Sequence, residues 1–231
     1  MERRIVLLGK TGSGKSATGN TILNGKYFEV KSSPQSVTKE CNVKEVGHIK
    51  VIDTPGMFDT LLTPDQLKTE IGRCVYLSVP GPHVFLLVIK LDRFTEEEKN
   101  TVKWIQENFE DDASLYTIVL FTHTDQLGKR TLEEFLGESP ELRRLLNICG
   151  NRYHAFNNND PGRSQVDKLM QKIDDMVLMN GGKFYTNKMY KEVQRRINIG
   201  ETIETAAAAV AGVAGVVAGV AGIVALALIK K

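Results

Sequence analysis

A glycine-rich segment near the N-terminus has the residue types and the spacing of a phosphate-binding loop. The sequence GKTGSGKS at residues 9–16 matches the pattern G-x-x-x-x-G-K-[ST] and directly follows an apolar run. Glycines let backbone N–H groups face phosphate oxygens, and a helix that begins there adds partial positive charge. Lys15 would reach the β- and γ-phosphates, and the Ser16 hydroxyl would be a ligand of Mg²⁺. The predicted phosphate-binding residues are Gly9, Lys10, Thr11, Gly12, Ser13, Gly14, Lys15, Ser16, Ala17 and, from the next motif, Gly56.

A second motif, DTPG at residues 53–56, follows another apolar run. An aspartate at a strand end beside a phosphate loop is placed to hold Mg²⁺ through water, and the Gly56 N–H is placed to meet a γ-phosphate. Thr38 lies in the polar stretch 31–40 between the two motifs. It is either an ordinary loop threonine or a further Mg²⁺ ligand in a segment that orders when a γ-phosphate is present. The predicted metal ligands are Ser16, Thr38 and Asp53.

A third group of polar residues, THTD at residues 122–125, is suited to recognise a nucleobase. The Asp125 carboxylate can accept hydrogen bonds from guanine N1–H and from the exocyclic amine, a donor pair that adenine lacks. Asp125 therefore favours GTP over ATP. His123 either lies along the base plane or is an exposed loop histidine. The segment AFNN at 155–158, after a further short apolar run, could close over the base, and Asn157 is its better candidate. The predicted guanine-binding residues are therefore His123, Asp125 and Asn157.

The segments that must position these residues alternate between two patterns. Near-continuous apolar runs are typical of strands buried on both faces, and the segments between them have helical spacing. The clearest helical pattern covers 95–109, where Thr95 and Glu98 form a capping box. The sequence predicts an α/β fold with a mostly parallel central sheet and helices on both faces. The strand-like runs are 5–8, 49–52, 84–89, 116–121 and 153–156.

Charge and cysteine content exclude some classes of function. Lys and Arg number 30 against 28 Asp and Glu, and Lys230 and Lys231 account for the whole excess. Residues 1–229 therefore lack the broad basic surface of a nucleic-acid-binding protein, and we expect no nucleic-acid partner. The three cysteines, Cys41, Cys74 and Cys149, stand far apart without a CxxC pair. This pattern predicts a reducing compartment, no disulfide framework and no zinc site.

The C-terminal region differs in composition from the rest of the chain. Residues 206–229 contain only Ala, Val, Gly, Ile and Leu, and as a helix they would extend roughly 36 Å, enough to cross a bilayer core of about 30 Å. We predict a transmembrane tail anchor at 205–229, with a buried core helix as the alternative. Residues 183–204 form either a juxtamembrane helical segment, whose positive charge indicates a cytosolic face, or a solvated linker helix. The nucleotide-binding domain is predicted to cover residues 1–182.

Taken together, the motifs resemble the GTPases of the immunity-associated protein family (GIMAPs), relatives of septins and plastid import-receptor GTPases. The resemblance covers about residues 3–180 and is most specific in GPH at 81–83 and LDRFTEEE at 91–98. It implies a P-loop, Ras-like GTPase domain with helical extensions that binds GTP/GDP and Mg²⁺. It also implies membrane attachment and homodimers or oligomers formed through this domain. Arg93, in the second of these segments, would act in trans as a catalytic arginine finger, or would pair on the surface with Glu96 or Glu97.

Met57 indicates how fast the chain would hydrolyse GTP. It follows Gly56, at the position where Ras-like hydrolases carry a glutamine that orients the attacking water, and a thioether cannot do this. We therefore expect slow intrinsic GTP hydrolysis by a switch on the cytosolic surface of a membrane. The alternatives are a membrane scaffold that holds GTP without hydrolysing it, and a soluble ATPase. The organelle is left open between the endoplasmic reticulum, the mitochondrial outer membrane and another internal membrane.

Overall fold

The computed structural model describes residues 2–30, 40–56, 64–91, 111–202 and 205. In these residues, six strands form one sheet in the order β2-β3-β1-β4-β5-β6, and short 3₁₀ helices cover Asp111–Tyr116 and Thr124–Leu127. The strands are β1 (Arg3–Leu8), β2 (Asn42–Val46), β3 (Ile49–Asp53), β4 (Val84–Lys90), β5 (Thr117–Thr122) and β6 (Tyr153–Ala155). The α-helices are α1 (Lys15–Leu23), α2 (Pro64–Ser78), α3 (Leu132–Gly137), α4 (Pro140–Ile148), α5 (Ser164–Met179) and α6 (Lys188–Asn198).

The sheet is mostly parallel, as predicted. β1 pairs in parallel with β3 on one side and β4 on the other, and β5 and β6 continue in the same direction. Only β2, at the edge of this sheet, is antiparallel to its neighbour β3. The carboxyl ends of five strands therefore lie along one edge, the edge at which ligands bind in open α/β sheets.

The two faces of the sheet carry separate hydrophobic cores. Val6 and Leu8 of β1 pack with side chains of α2, α3, α4 and α6. Ile5 and Leu7, which point to the opposite face, pack with side chains of α1 and α5. Because helices cover both faces, every position of the strand is buried, and this explains the near-continuous apolar run. The predicted α/β fold class is confirmed.

The secondary structure expected from the sequence differs from the structure in places. β2 was not predicted, because its residues are mostly polar and exposed, as befits an edge strand. The run 116–121 is shifted by one residue, since Tyr116 ends a 3₁₀ helix and β5 begins at Thr117. The helix predicted at 95–109 lies outside the described residues.

The expectation that the chain has no disulfide is wrong. The structure joins Cys41 to Cys74, with their Cα atoms 5.7 Å apart, a separation in the usual range for a disulfide. The two cysteines are 33 residues apart in sequence, and such spacing does not reveal that α2 lies against the residue that precedes β2. Cys149 is free and buried.

The segment 183–204 contributes α6, which packs on α2. The helix begins after Asn187, whose side chain accepts a hydrogen bond from the Tyr190 N–H at 3.1 Å. Tyr190 and Val193 are buried in the core, and the Tyr190 hydroxyl lies 3.0 Å from the Ser78 hydroxyl at the end of α2. The division of the chain at residues 182 and 204 stays a prediction.

Membrane insertion rests on sequence alone. Within the described ranges, no helix is both long enough and apolar enough to cross a membrane. The apolar run 206–229 lies outside those ranges.

His83, which directly precedes β4, makes stability depend on pH. Its Nδ1 accepts the Arg4 N–H at 3.0 Å, which requires that nitrogen to be unprotonated. Burial, together with the positive charge of Arg4 and Arg3, lowers the pKa of His83 to about 4. Between pH 6.5 and 4, the unfolded chain therefore binds a proton at this position that the folded chain does not, and stability decreases as the pH falls.

We expect the free energy of unfolding to fall by about 3 kcal/mol more in the parent chain than in His83→Asn as the pH is lowered from 7 to 4. Urea unfolding at a series of pH values measures this difference. His48→Asn is the matched control, because His48 is exposed. If the free energy of unfolding fell equally with pH in the parent and in His83→Asn, the pH dependence would not come from His83.

Candidate nucleotide-binding site

The predicted phosphate-binding loop joins β1 to α1, and its glycines have backbone conformations that other residues rarely adopt. Gly9, Gly12 and Gly14 have φ angles of +148°, +78° and +94°. A Cβ atom on Gly9 would also collide with the Val88 carbonyl oxygen of β4. Glycine is therefore required both by the curvature of the loop and by its close packing against the sheet.

Lys15, the first residue of α1, is held inside the loop. Its side chain is buried, and its Nζ donates hydrogen bonds to the carbonyl oxygens of Gly9 at 3.0 Å and Lys10 at 2.8 Å. The ammonium group thus lies within the curve of the backbone, where phosphate oxygens could replace these carbonyl acceptors. The Ser13 hydroxyl is also buried and has no hydrogen-bond partner in the described part of the chain.

Ser16 and Asp53 meet beside the loop, although they lie on different elements. The Ser16 Oγ donates a hydrogen bond of 2.6 Å to the Asp53 Oδ2, and Asp53 is almost fully buried at the end of β3. A hydroxyl and a carboxylate are the oxygen donors that Mg²⁺ prefers, usually completed by water and phosphate. The residues present therefore fit this ion. The described residues contain no group of three His, Cys, Asp or Glu that could hold a metal, and Thr38 lies outside them.

The DTPG motif lies against both β1 and the phosphate loop. The Thr54 hydroxyl donates to the Leu7 carbonyl oxygen at 2.6 Å. Gly56 approaches Thr11 so closely that a Cβ atom on it would collide with the Thr11 hydroxyl. The backbone at Gly56 is thus next to the phosphate loop.

The end of β5 is also connected to the phosphate loop. The Thr122 hydroxyl donates to the Ser13 carbonyl oxygen at 2.8 Å, and the His123 Nδ1 lies 3.0 Å from the Thr122 Oγ1. His123 is partly buried in the left-handed conformation, with φ of +59°. Asp125 follows in the 3₁₀ helix and is exposed. This geometry leaves the Asp125 carboxylate accessible to a ligand beside the loop.

The segment after β6 reaches the phosphate loop through Asn158, which from the sequence is a weaker candidate than Asn157. Asn158 accepts a hydrogen bond from the Thr21 hydroxyl and donates one to the Thr18 hydroxyl, both on α1. A Cβ atom on Gly14 would lie 3.4 Å from the Asn158 Nδ2 and 3.5 Å from the Thr122 Cγ2. The phosphate loop, β5 and the segment after β6 therefore converge at Gly14. The only sequence signal for Asn158 was its place in a run of asparagines.

Asn157 is fixed mainly through its backbone. Gln165 of α5 accepts from the Asn157 N–H at 2.8 Å and donates to its carbonyl oxygen at 2.7 Å. The Asn157 side chain accepts the Asn159 N–H at 2.9 Å. These contacts give the segment a defined conformation, and no sequence pattern indicated the role of Gln165.

A polar cavity of about 210 Å³ lies between the C-terminal half of α1 and the segment 158–163. No residue of the phosphate loop lines it, and it is smaller than cavities that hold whole cofactors. The cavity is thus adjacent to the convergence at Gly14 but is not the phosphate site. Its lining side chains include Asn20, Thr21, Asn158, Asp160 and Arg163.

Two similar solved structures have the same fold. Toc33 from Arabidopsis thaliana in complex with Mg²⁺ and GMPPNP has a TM-score of 0.58 and 22% sequence identity, over 77% of this chain and 85% of that one. A structure of the chloroplast translocon components Toc33 and Toc159, described with dimerisation as important for GTPase activity, has a TM-score of 0.59 and 21% identity, over 76% and 82% of the two chains. At this identity the likeness establishes the α/β fold of P-loop GTPases.

The amino-acid sequence has closer relatives. Immune-associated nucleotide-binding protein 9 of Arabidopsis thaliana is 40% identical over 84% of this chain and 60% of its own length. GTPase IMAP family member 8 of Homo sapiens is 38% identical over 80% of this chain and 29% of its own length. This chain therefore spans less than two thirds of either relative. The profile of the AIG1 family matches residues 3–204, so the chain belongs to the AIG1 family.

Proposed function

We propose that this chain binds GTP and GDP with Mg²⁺ and hydrolyses GTP slowly, as a nucleotide-dependent switch. The observation that carries this proposal is the 2.6 Å contact between Ser16 and Asp53 beside a loop that encloses the Lys15 ammonium. These are the parts that hold a metal-bound triphosphate. A relative is named as a GTPase, and the structurally similar Toc33 was crystallised with Mg²⁺ and GMPPNP. Thr38 would add a ligand to the ion in the GTP state.

Within this proposal, the base is guanine. Asp125 accepts the two donors on the guanine edge, His123 lies along the ring, and Asn157 closes the far side together with Asn158. The accessible Asp125 carboxylate and the convergence of β5 with the segment after β6 at Gly14 support this arrangement. The Ser13 hydroxyl, buried beside Lys15, would find its missing partner in a phosphate oxygen.

Hydrolysis in this proposal depends on a second copy of the chain. Met57 cannot orient water, so a group from elsewhere must stabilise the transition state. Arg93, like Met57, lies outside the described residues. In the sequence it comes three residues after Lys90, the last residue of β4, and β4 ends at the same edge of the sheet as the site. A homodimer formed through this edge would bring the Arg93 of one copy to the nucleotide of the other. The similar translocon components are described as needing dimerisation for GTPase activity.

We also propose that the apolar run 205–229 anchors the protein in a membrane, with the nucleotide-binding domain in the cytoplasm. Residues 206–229 of this run are uncharged and apolar and are long enough as a helix to span a bilayer core, and Lys230 and Lys231 flank the run. The basic residues of α6 precede it, in agreement with a cytosolic face. Integration can be tested by carbonate extraction of membranes from cells that express the full chain. Complete release into the supernatant would contradict the anchor.

Single-turnover GTP hydrolysis by the full chain in mild detergent, measured over a range of protein concentrations, tests the central proposal. A rate per molecule that rises with concentration and then saturates is expected if the site is completed in trans. A flat, near-zero rate with tight GTP binding would instead favour the scaffold that holds GTP without hydrolysing it. Competition with ATP tests the base assignment, since equal affinities for ATP and GTP would contradict the role of Asp125.

Arg93→Ala is expected to lower the saturating rate about 100-fold, because an arginine finger stabilises the charge of the transition state. GTP affinity at low protein concentration should stay unchanged, since Arg93 would act only on the partner's nucleotide. Arg144→Ala is the matched control, because Arg144 is an exposed arginine on α4. Hydrolysis by Arg93→Ala at the parent rate would remove Arg93 from the mechanism.

A further inference from the structure

Cys41 and Cys74 connect two segments that belong to the nucleotide site. Cys41 directly precedes β2, and the first residue of β2, Asn42, pairs with Asp53 at the end of β3. Cys74 lies in α2, the first helix that the structure describes after the DTPG motif. The bond between them closes a loop that contains β2, β3 and residues 53–56. Joining the two sulfurs therefore ties the segment that carries Asp53 and Gly56 to α2.

Polar contacts that do not involve the bonded sulfurs also join the residues around the two cysteines. The Cys41 N–H donates to the Glu70 carboxylate of α2 at 2.8 Å. Arg73, next to Cys74, donates to the Glu40 carboxylate at 2.8 Å. These contacts fix the residues that flank both sulfurs, so the reduced thiols would remain neighbours. Between cysteines held in this way, the disulfide bond can form and break without rearrangement of the sheet.

We propose that Cys41 and Cys74 form a reversible oxidation site, at which closure of the disulfide slows nucleotide exchange. This inference rests on the proposed guanine-nucleotide binding. The coupling follows from the position of the closed loop: Gly56 lies against Thr11 of the phosphate loop, and Asp53 contacts Ser16. Release of a nucleotide requires this region to open locally, and a cross-link that shortens the free chain around it makes such opening less frequent.

The oxidant in this proposal is hydrogen peroxide, whose small size suits a nearly buried pair. Cys74 is 8% exposed and Cys41 2%, so the Cys74 thiolate attacks first. Its sulfur forms a bond to one peroxide oxygen, the O–O bond breaks, and the leaving hydroxide takes up a proton to become water. The Cys41 thiolate then attacks the sulfenic sulfur, the S–O bond breaks, and a second water leaves. Two thiols lose two electrons and two protons, and a dithiol reductant reverses the change by exchange.

Cys149 provides an internal comparison. It is buried among apolar side chains of the core, and this burial raises its pKa to about 11. Because the thiolate is the reactive form, Cys149 should react slowly with peroxide. Cys149→Ala is therefore expected to respond to oxidation as the parent does.

The test uses the full chain in mild detergent, reduced with dithiothreitol and then treated with hydrogen peroxide. Peptide mapping is expected to find the Cys41–Cys74 bond, and release of a fluorescent GDP analogue should become at least about threefold slower. Dithiothreitol should restore the original rate. Cys41→Ala and Cys74→Ala should lose the response, and Cys149→Ala should keep it. Each single variant retains the other thiol, so loss of the response in both identifies the bond as its cause.

Two results would overturn the inference. The first is the absence of the Cys41–Cys74 bond after oxidation, and the second is a bond that forms while nucleotide release keeps its rate. A chain that binds no guanine nucleotide in either redox state would overturn the proposed function itself, and the coupling with it. Thermal unfolding without nucleotide identifies a misfolded sample. In a folded sample, formation of the Cys41–Cys74 bond should raise the melting temperature above that of the reduced chain.

Discussion

Asp125→Asn is expected to weaken GTP binding about 100-fold and to strengthen binding of xanthosine triphosphate. The aspartate accepts two hydrogen bonds from guanine, and hydrogen bonds to a charged group contribute about 1.5–3 kcal/mol each. The asparagine would still accept the N1–H, but its amide N–H₂ would face the donor amine of guanine. Xanthine carries a carbonyl at that position and would accept from this amide. Competition binding with both triphosphates measures the change in preference.

Asp125→Asn tests recognition of the base separately from folding. Asp125 is exposed in the 3₁₀ helix after β5, so its replacement removes no core packing. Asp160→Asn is the matched control, because Asp160 is an exposed aspartate in the segment after β6 whose Oδ1 accepts the Gly162 N–H. The control should keep the preference for GTP. If Asp125→Asn also kept it, another residue would have to recognise the guanine edge.

Features set by local backbone chemistry could be predicted from the sequence. The phosphate loop follows from the spacing of its glycines, and the structure gives Gly9, Gly12 and Gly14 the positive φ angles that this spacing indicates. The parallel strands could be predicted because burial on both faces leaves a continuous apolar run, as in β1 and β4. Once the strands are known, the grouping of the motifs follows, since each motif begins at the last residue of a strand or directly after it.

Features set by tertiary contact could not be predicted in this way. β2 has four exposed residues of five and no hydrophobic periodicity, so only its pairing with β3 identifies it as a strand. The Cys41–Cys74 bond depends on how α2 returns along the sheet. What distinguishes Asn158 from its neighbour Asn157 in the site is that its side chain reaches α1. In each case a contact outside the segment itself decides the structure, and the pattern of residues within that segment does not reveal the contact.

Lys15→Met is expected to lower affinity for both GTP and GDP by at least about 100-fold. The Lys15 ammonium donates to two loop carbonyls, and with a nucleotide bound it would donate to phosphate oxygens. Loss of two charge-assisted hydrogen bonds costs about 3 kcal/mol or more. The variant keeps a linear apolar side chain of similar length, so packing around α1 should be retained. Titration with a fluorescent GDP analogue measures the change.

Thermal unfolding separates lost binding from lost folding. A ligand that binds only the folded state raises the melting temperature in proportion to the logarithm of its concentration over the dissociation constant. Without nucleotide, Lys15→Met should melt near the parent temperature, because the avoided cost of burying an ammonium group offsets the loss of its two hydrogen bonds to loop carbonyls. With GDP and Mg²⁺, only the parent and the control Lys26→Met, at an exposed lysine after α1, should gain stability. An equal gain in Lys15→Met would mean that the nucleotide phosphates do not reach the loop, and the site proposed around Ser16 and Asp53 would then be wrong.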